Sequence, residues 1–319
     1  MSEITSLEDQ IKVLYIAGFE RSGSTIINRV LGQIDEFVAW GELRDIWEHG
    51  DLENRTCTCG KTFHDCSAWG RIFDGEFRES LGLGTAEMLS LKRRTKAAVL
   101  LKSFGPLGRV ALNSIAKDYM SGLSALYQTI QSKTGSRVIV DSTKASWYGY
   151  VLSRLPNIDL YTVHVVRDPR GVCYSLQQRK AKGDTTCDWY NPLHASLSWV
   201  LKNSGIEQLL ETSPQRYLRI KYEDFMAFPE ETVALLLSFI NEPAAENLFV
   251  RKSTVKMGMD HIISGSPSSR SDVGEVELKT DSRWHNGISS KDRALVERFT
   301  KPLLKKYGYG AEISVTASG

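Results

Sequence analysis

The sequence contains no apolar run that approaches the ~18 residues a membrane-spanning helix needs, so a transmembrane helix is not an organising element. Charge of one sign is also missing: 40 Lys and Arg against 38 Asp and Glu leave a net charge of +2 at pH 7. A polyanion-binding protein carries a larger basic excess, and nucleic acid is therefore not an expected partner. Cysteine is scarce, with five in the chain. So few, in an odd number, do not make a disulfide scaffold, and at least one thiol has no internal partner. Internal repeats and low-complexity tracts are absent, which excludes solenoid and linker architectures. The opening MSEITSLEDQ is acidic and polar, the reverse of a signal peptide's basic-then-apolar order. A cytoplasmic protein is expected.

What is present fits a globular α/β chain. The 319 residues are 41% hydrophobic and 24% charged, ordinary values for a chain that buries a substantial core. Lys12 to Phe19 (KVLYIAGF) is a short apolar run that reads as a buried strand. A Gly/Ser-rich turn follows it, then Ile26, Ile27, Val30, Leu31 and Ile34 at helical spacing. Arg137 to Asp141, Leu160 to Val166 and Arg216 to Lys221 are three more predicted strands, the first two followed by helical patterns. That alternation predicts a parallel central β-sheet flanked by helices, with right-handed crossovers. Residues 51–81 read as irregular, and 85–133 as helical with a break at Gly105-Pro106-Leu107-Gly108. The expected organisation is one domain over 1–319, in which 51–133 form a largely helical insertion that acts as an acceptor lid.

Gly18 to Thr25 reads GFERSGST. Backbone N–H groups at such a turn, and at the helix N-terminus it feeds, make a ready anion site. The spacing matches the phosphate-binding pattern G-x-x-x-x-G-K-S/T except that Ser24 stands where the lysine belongs. Kinases and ATPases of that class need the lysine on their β- and γ-phosphates, so its absence counts against a P-loop kinase of small metabolites. Arg21 supplies a substitute positive charge, and Ser22, Ser24 and Thr25 supply hydroxyl donors.

A second basic segment, His164 to Arg179, reads HVVRDPRGVCYSLQQR. Asp168 is a predicted N-cap and Pro169 sits where a first helical turn tolerates proline. Ser175 and Arg179 are four residues apart and share a helix face. Together with Arg167 they are placed to grip one phosphate at the carboxyl edge of the sheet. Arg170 fits a solvated helix start as well as it fits function.

With these segments in view, the chain resembles the sulfotransferases that use 3′-phosphoadenosine 5′-phosphosulfate (PAPS), in the branch with bacterial, carbohydrate and tyrosylprotein enzymes. Arg21-Ser22-Gly23-Ser24-Thr25 is similar to the family's 5′-phosphosulfate loop. Arg167-Asp168-Pro169-Arg170, with Ser175 and Arg179, is similar to its 3′-phosphate motif. Further likenesses are Asp141-Ser142-Thr143-Lys144, Tyr222-Glu223-Asp224, and the stretch from His261 through Gly265, Pro267 and Arg270 to Lys279 and Trp284. The resemblance implies a P-loop-like fold and PAPS as the cofactor. It implies cofactor contacts from Tyr222, Ser266, Arg270 and Lys279, beside those of the two basic segments.

It also implies roles in the chemistry. Lys144 and Arg21 would neutralise charge between the leaving phosphate and the sulfonate. The tyrosylprotein enzymes carry a Gly-Glu-x-Arg segment similar to Gly41-Glu42-Leu43-Arg44, which implies Glu42 as the general base and Arg44 as an orienting group. Trp40 beside them is a candidate for the acceptor wall. A histidine base is the rival, with His64, His164 and His261 as candidates. A catalytically inactive nucleotide-binding module is a third reading. The acceptor expected is a small-molecule, lipid or carrier-bound hydroxyl. Cys57-x-Cys59-Gly60 with Cys66 and His64 has a metal-like composition but not the usual paired C-x₂-C spacing. It is read as packing or lid, with no metal expected.

Overall fold

The structure is a computed structural model that describes residues 10–101, 115–183, 190–264 and 273–309. Its centre is a five-stranded parallel sheet of order β2-β3-β1-β4-β5. The strands are β1 (Ile11–Gly18), β2 (Phe37–Val38), β3 (Val138–Lys144), β4 (Ile158–Val166) and β5 (Tyr217–Lys221). The four strands expected from apolar runs are all present, their ends shifted by at most three residues.

β1 lies between β3 and β4 and pairs with both in parallel. Parallel strands must be covered on both faces, which is why β1 is almost continuously apolar. Val13, Tyr15 and Ala17 pack into one core, while Leu14 and Ile16 pack into another on the opposite face. The second core is closed by α1 (Ser24–Leu31) through Ile27, Val30 and Leu31. The chain leaves β1 toward β3 on one side and later reaches β4 on the other. The carboxyl end of β1 is thus a topological switch point, the place where open α/β sheets leave a crevice for ligands.

The Tyr15 core continues into the segment between β2 and β3. There a short 3-10 turn (Leu43–Asp45) and a π-helical stretch (Ile46–Leu52) precede α2 (Ser67–Ile72), α3 (Gly75–Leu81), α4 (Thr85–Leu101) and α5 (Lys117–Thr134). Residues 51–81, expected to be irregular, hold two short helices tied together by aromatic contacts. Trp47 and Phe73 lie 5.2 Å apart, and Phe73 and Phe77 5.1 Å. Helices of six and seven residues are too short for apolar periodicity to betray them. The expected break at Gly105 to Gly108 lies outside the described residues. A second, antiparallel sheet of β6 (Phe249–Arg251), β7 (Thr254–Met257) and β8 (Gly274–Glu277) was not foreshadowed. Among the described residues, no helix is long and apolar enough to cross a membrane.

His164, in the middle of β4, is wholly buried and has both ring nitrogens engaged, 2.7 Å from Tyr217 Oη and 2.7 Å from Asn203 Oδ1. Burial lowers its pKa to about 4. The unfolded chain therefore takes up the proton first. His164 contributes stability above about pH 6.5 and loses it as the pH falls toward 4, by about 3 kcal/mol at most. Asp141, raised by its own burial to about 6, acts in the opposite sense over an overlapping range. The contribution is therefore read as a difference. Urea unfolding of the wild type and His164→Gln at pH 7 and pH 4 should show the gap between them narrowing by about 3 kcal/mol at the lower pH.

Candidate active site

The loop at the switch point is built by backbone conformation. Gly23 has φ +85°, and a Cβ there would meet the Tyr222 ring at 2.3 Å. No side chain fits at Gly23, which lies against the ring of Tyr222, the first residue of the helix that follows β5. Arg21 also sits at positive φ, +68°, a strained state for a residue with a Cβ. Ser22, Ser24 and Thr25 are buried at the start of α1, and the Ser22 hydroxyl has no hydrogen-bond partner. A buried hydroxyl left unsatisfied in a loop that feeds a helix N-terminus suits an oxyanion.

The second basic segment arrives from β4. Beyond α6 (Ser146–Leu152) and β4, Asp168 caps α7 (Pro169–Ala181) by accepting from Arg170 N at 2.8 Å, with Pro169 in the first turn. Arg167 donates to Arg21 O at 2.9 Å and lies 4.4 Å above the Tyr222 ring. Arg21 Nε donates to Ser175 Oγ at 2.9 Å. The two sequence segments, 154 positions apart by that bond, meet side by side at the carboxyl edge of the sheet. Burial lowers the Arg21 pKa to about 10, and the positive charges of Arg179 and Arg167 push it the same way. Cations crowded so closely are stabilised by an anion between them.

Arg170 does not join this group. It forms two parallel bonds to Asp168, at 3.0 and 2.7 Å, reaches Glu297 at 2.9 Å and lies 5.1 Å from the Trp284 ring. Its work is to tie α7 to the C-terminal helix (Ser290–Lys306). Lys279 is not brought to the cleft either, since it is 71% exposed and pairs with Glu277 at 2.8 Å. The residue from that stretch that does reach Arg167 is Asp281, at 3.5 Å. Ser266 and Arg270 lie outside the described residues.

On the β3 side, Glu42 and Lys144 form an ion pair, and Arg44 approaches the same carboxylate at 3.7 Å. The segment is held to the end of β3 by Ser142 N on Gly41 O at 3.0 Å, Leu43 N on Asp141 Oδ1 at 3.3 Å and Arg44 N on Thr143 Oγ1 at 3.2 Å. Arg44 is itself clamped by Asp45, at 2.8 and 2.7 Å. Lys144 has φ +70°, a second strained backbone position, at the carboxyl end of β3. Trp40 packs edge-on to Trp69 at 4.8 Å.

Two contributors were given no role from the sequence, and only Asp141 lies in a segment that the resemblance marked. Lys202, from the helix Pro192–Leu210, pairs with Glu20 at 2.5 Å. Burial pushes its ammonium down, and the charges of Arg44 and Lys144 act in the same direction. Asp141 is the buried carboxylate that organises Leu43, Thr143 and Tyr127. The histidines lie elsewhere: His164 is in the core, His64 Nε2 is 3.1 Å from Asp51 O, and His261 stands 3.2 Å from Cys66 Sγ. A cavity of about 290 Å³ lined by Arg219, Lys221, Asp224 and Tyr307 shares no residue with this cluster.

The model of the Sulfotransferase family matches residues 14–246. Among solved structures, the chain is similar to a sulfotransferase domain from the curacin biosynthetic pathway. That likeness has 18% identity and a TM-score of 0.51, over 92% of this chain and 97% of that one. It is also similar to the sulfotransferase domain of the Synechococcus PCC 7002 olefin synthase, at 18% identity and a TM-score of 0.48, over 98% and 99%. At 18% identity the likeness to the curacin-pathway domain is one of fold alone. No curated protein matches the sequence.

Proposed function

The chain belongs to the sulfotransferase family, and from that premise we propose that it moves a sulfuryl group from PAPS to an acceptor hydroxyl. The observation that carries this reading is the meeting of Arg21, Arg167, Ser175 and Arg179 in one cleft beside a buried, unpartnered Ser22 hydroxyl. That is the donor set a ligand with phosphate groups at both ends of a nucleoside requires. When bound, PAPS supplies the activated sulfuryl group and leaves as 3′-phosphoadenosine 5′-phosphate (PAP).

The residues have distinct tasks in this reading. The Arg21–Thr25 loop holds the 5′ end, and Arg167, Ser175 and Arg179 hold the 3′-phosphate. Tyr222 lines the nucleotide cleft with its ring. Lys144 donates toward the oxygens that gain charge as the S–O bond to the leaving phosphate breaks. Glu42 accepts the proton of the attacking hydroxyl while the new S–O bond forms. Arg44 keeps the Glu42 carboxylate in place, and Trp40 forms part of the acceptor wall. The acceptor class we propose is a small-molecule, lipid or carrier-bound alcohol, taken up on the side of 51–133.

Calorimetry with PAP comes first because it needs no acceptor, and one PAP per chain is expected. A screen of alcohols with PAPS carrying radiolabelled sulfate then identifies the acceptor. No PAP binding, together with magnesium-dependent ATP turnover, would sink the proposal in favour of a kinase.

A further inference from the structure

The three clustered cysteines acquire a fourth companion from nearly 200 positions away. Cys57, Cys59, Cys66 and His261 bring their ligand atoms within 4.8 Å of one another. Cys57 Sγ and Cys66 Sγ are 3.7 Å apart, and Cys59 Sγ and Cys66 Sγ 3.6 Å. His261 Nδ1 lies 3.2 Å from Cys66 Sγ and 3.9 Å from Cys57 Sγ. A disulfide needs about 2.05 Å between sulfurs, and all three thiols are free. Tetrahedral zinc with bonds of ~2.3 Å to sulfur and ~2.0 Å to nitrogen places its sulfurs about 3.8 Å apart and each sulfur about 3.5 Å from the nitrogen. The two S···S separations fall just short of the first value, and the two S···N separations bracket the second.

We propose that Cys57, Cys59, Cys66 and His261 hold a structural zinc ion. Three thiolates and one imidazole favour zinc over the hard, oxygen-seeking cations. Four protein ligands fill the tetrahedron and leave no open position for catalysis. The surroundings are organised as a metal's outer shell is. The N–H of Cys59 donates to Cys57 Sγ and that of Lys61 to Cys59 Sγ, while Trp69 Nε1 fixes the His261 carbonyl at 2.8 Å. The turn bearing Cys57 is stitched to the histidine's own segment by Thr58, whose N donates to Ile262 O at 3.0 Å and whose Oγ1 donates to Asp260 O at 2.6 Å.

The consequence of the ion lies beside the cleft. Ile262 and Ser264 cover Gly41, where a Cβ would meet Ile262 Cγ2 at 2.9 Å and Ser264 O at 3.3 Å. The ring of Trp40 stands 6.1 Å from that of His261. Zinc therefore clamps the segment that backs the Trp40–Glu42 turn. His64, the nearer histidine in sequence, takes no part.

The test is metal analysis of the full chain, purified with a thiol reductant and no chelator, by plasma mass spectrometry. The expected result is one zinc per chain. Cys59→Ser and His261→Ala should each lose it, and His64→Ala should retain it. Cobalt(II) added to reduced, zinc-stripped wild type should give the intense visible bands of a tetrahedral thiolate site, a readout that does not depend on whether the variants fold. Wild type that holds no zinc and shows no such bands overturns the proposal, as does full zinc content in His261→Ala. Neither outcome bears on sulfuryl transfer, which the PAP measurement tests separately.

Discussion

Glu42→Gln should lower kcat by about two to four orders of magnitude, the span typical of a lost general base, and leave PAP affinity within a few-fold of the parent. The substitution keeps the shape of the side chain, and the main-chain bonds that hold Gly41, Leu43 and Arg44 to the end of β3 do not involve it. What it removes is the acceptor for the hydroxyl proton and the charge that pairs with Lys144. The arginines proposed to hold the nucleotide stand on other elements. Catalysis and binding should therefore separate. Steady-state kinetics with the acceptor found by the screen, alongside calorimetry with PAP, measures both. A variant that turns over at the parent's rate removes Glu42 from the role. Among the described histidines, those named as rivals are engaged elsewhere, His164 in the core and His261 with the cysteines.

The strained backbone of Lys144 supports the same assignment from another direction. A non-glycine residue at φ +70° costs roughly 1–3 kcal/mol and persists only when its surroundings over-determine it. Here they do. Asp141 accepts from Thr143 N at 2.9 Å and from Leu43 N at 3.3 Å, and so locks the turn from both sides. Lys144 itself pairs its ammonium with Glu42.

The parts of this cleft that sequence disclosed are those whose chemistry is local. A buried parallel strand is a nearly unbroken apolar run, so β1, β3, β4 and β5 were visible, as was the glycine turn directly after β1. Asp168 and Pro169 marked a helix start because capping acts over two or three residues. The two-residue β2 and the half-exposed β6–β8 sheet offer no comparable run. Long-range pairing was beyond reach for a different reason. Nothing in the spacing of Cys57, Cys59 and Cys66 selects His261 over His64, because the choice is made by how the loop after β7 packs on Trp69 and Thr58. Lys202 is equally silent, a mid-helix lysine whose position in the cleft follows only from the helix Pro192–Leu210 packing near the end of β1.

Arg167→Ala should weaken PAP binding by about 100-fold. Hydrogen bonds to charged groups contribute roughly 1.5–3 kcal/mol each, and each 1.4 kcal/mol is a factor of ten. The loss is indirect as well as direct. Arg167 braces the loop through Arg21 O at 2.9 Å and covers the face of Tyr222 at 4.4 Å, so its removal also loosens the ring that fills the space at Gly23. Arg167→Lys keeps the charge but not the planar fork or the stacking, and should recover about tenfold of the loss and no more. Arg170→Ala is the control. Its guanidinium is spent on Asp168 and Glu297, and that variant should melt at a lower temperature while binding PAP within a few-fold of wild type. Calorimetry and thermal melts on the three variants read affinity and stability separately. Equal affinity losses at Arg167 and Arg170 would mean that the cleft is disturbed generally, and that Arg167 holds no phosphate of its own.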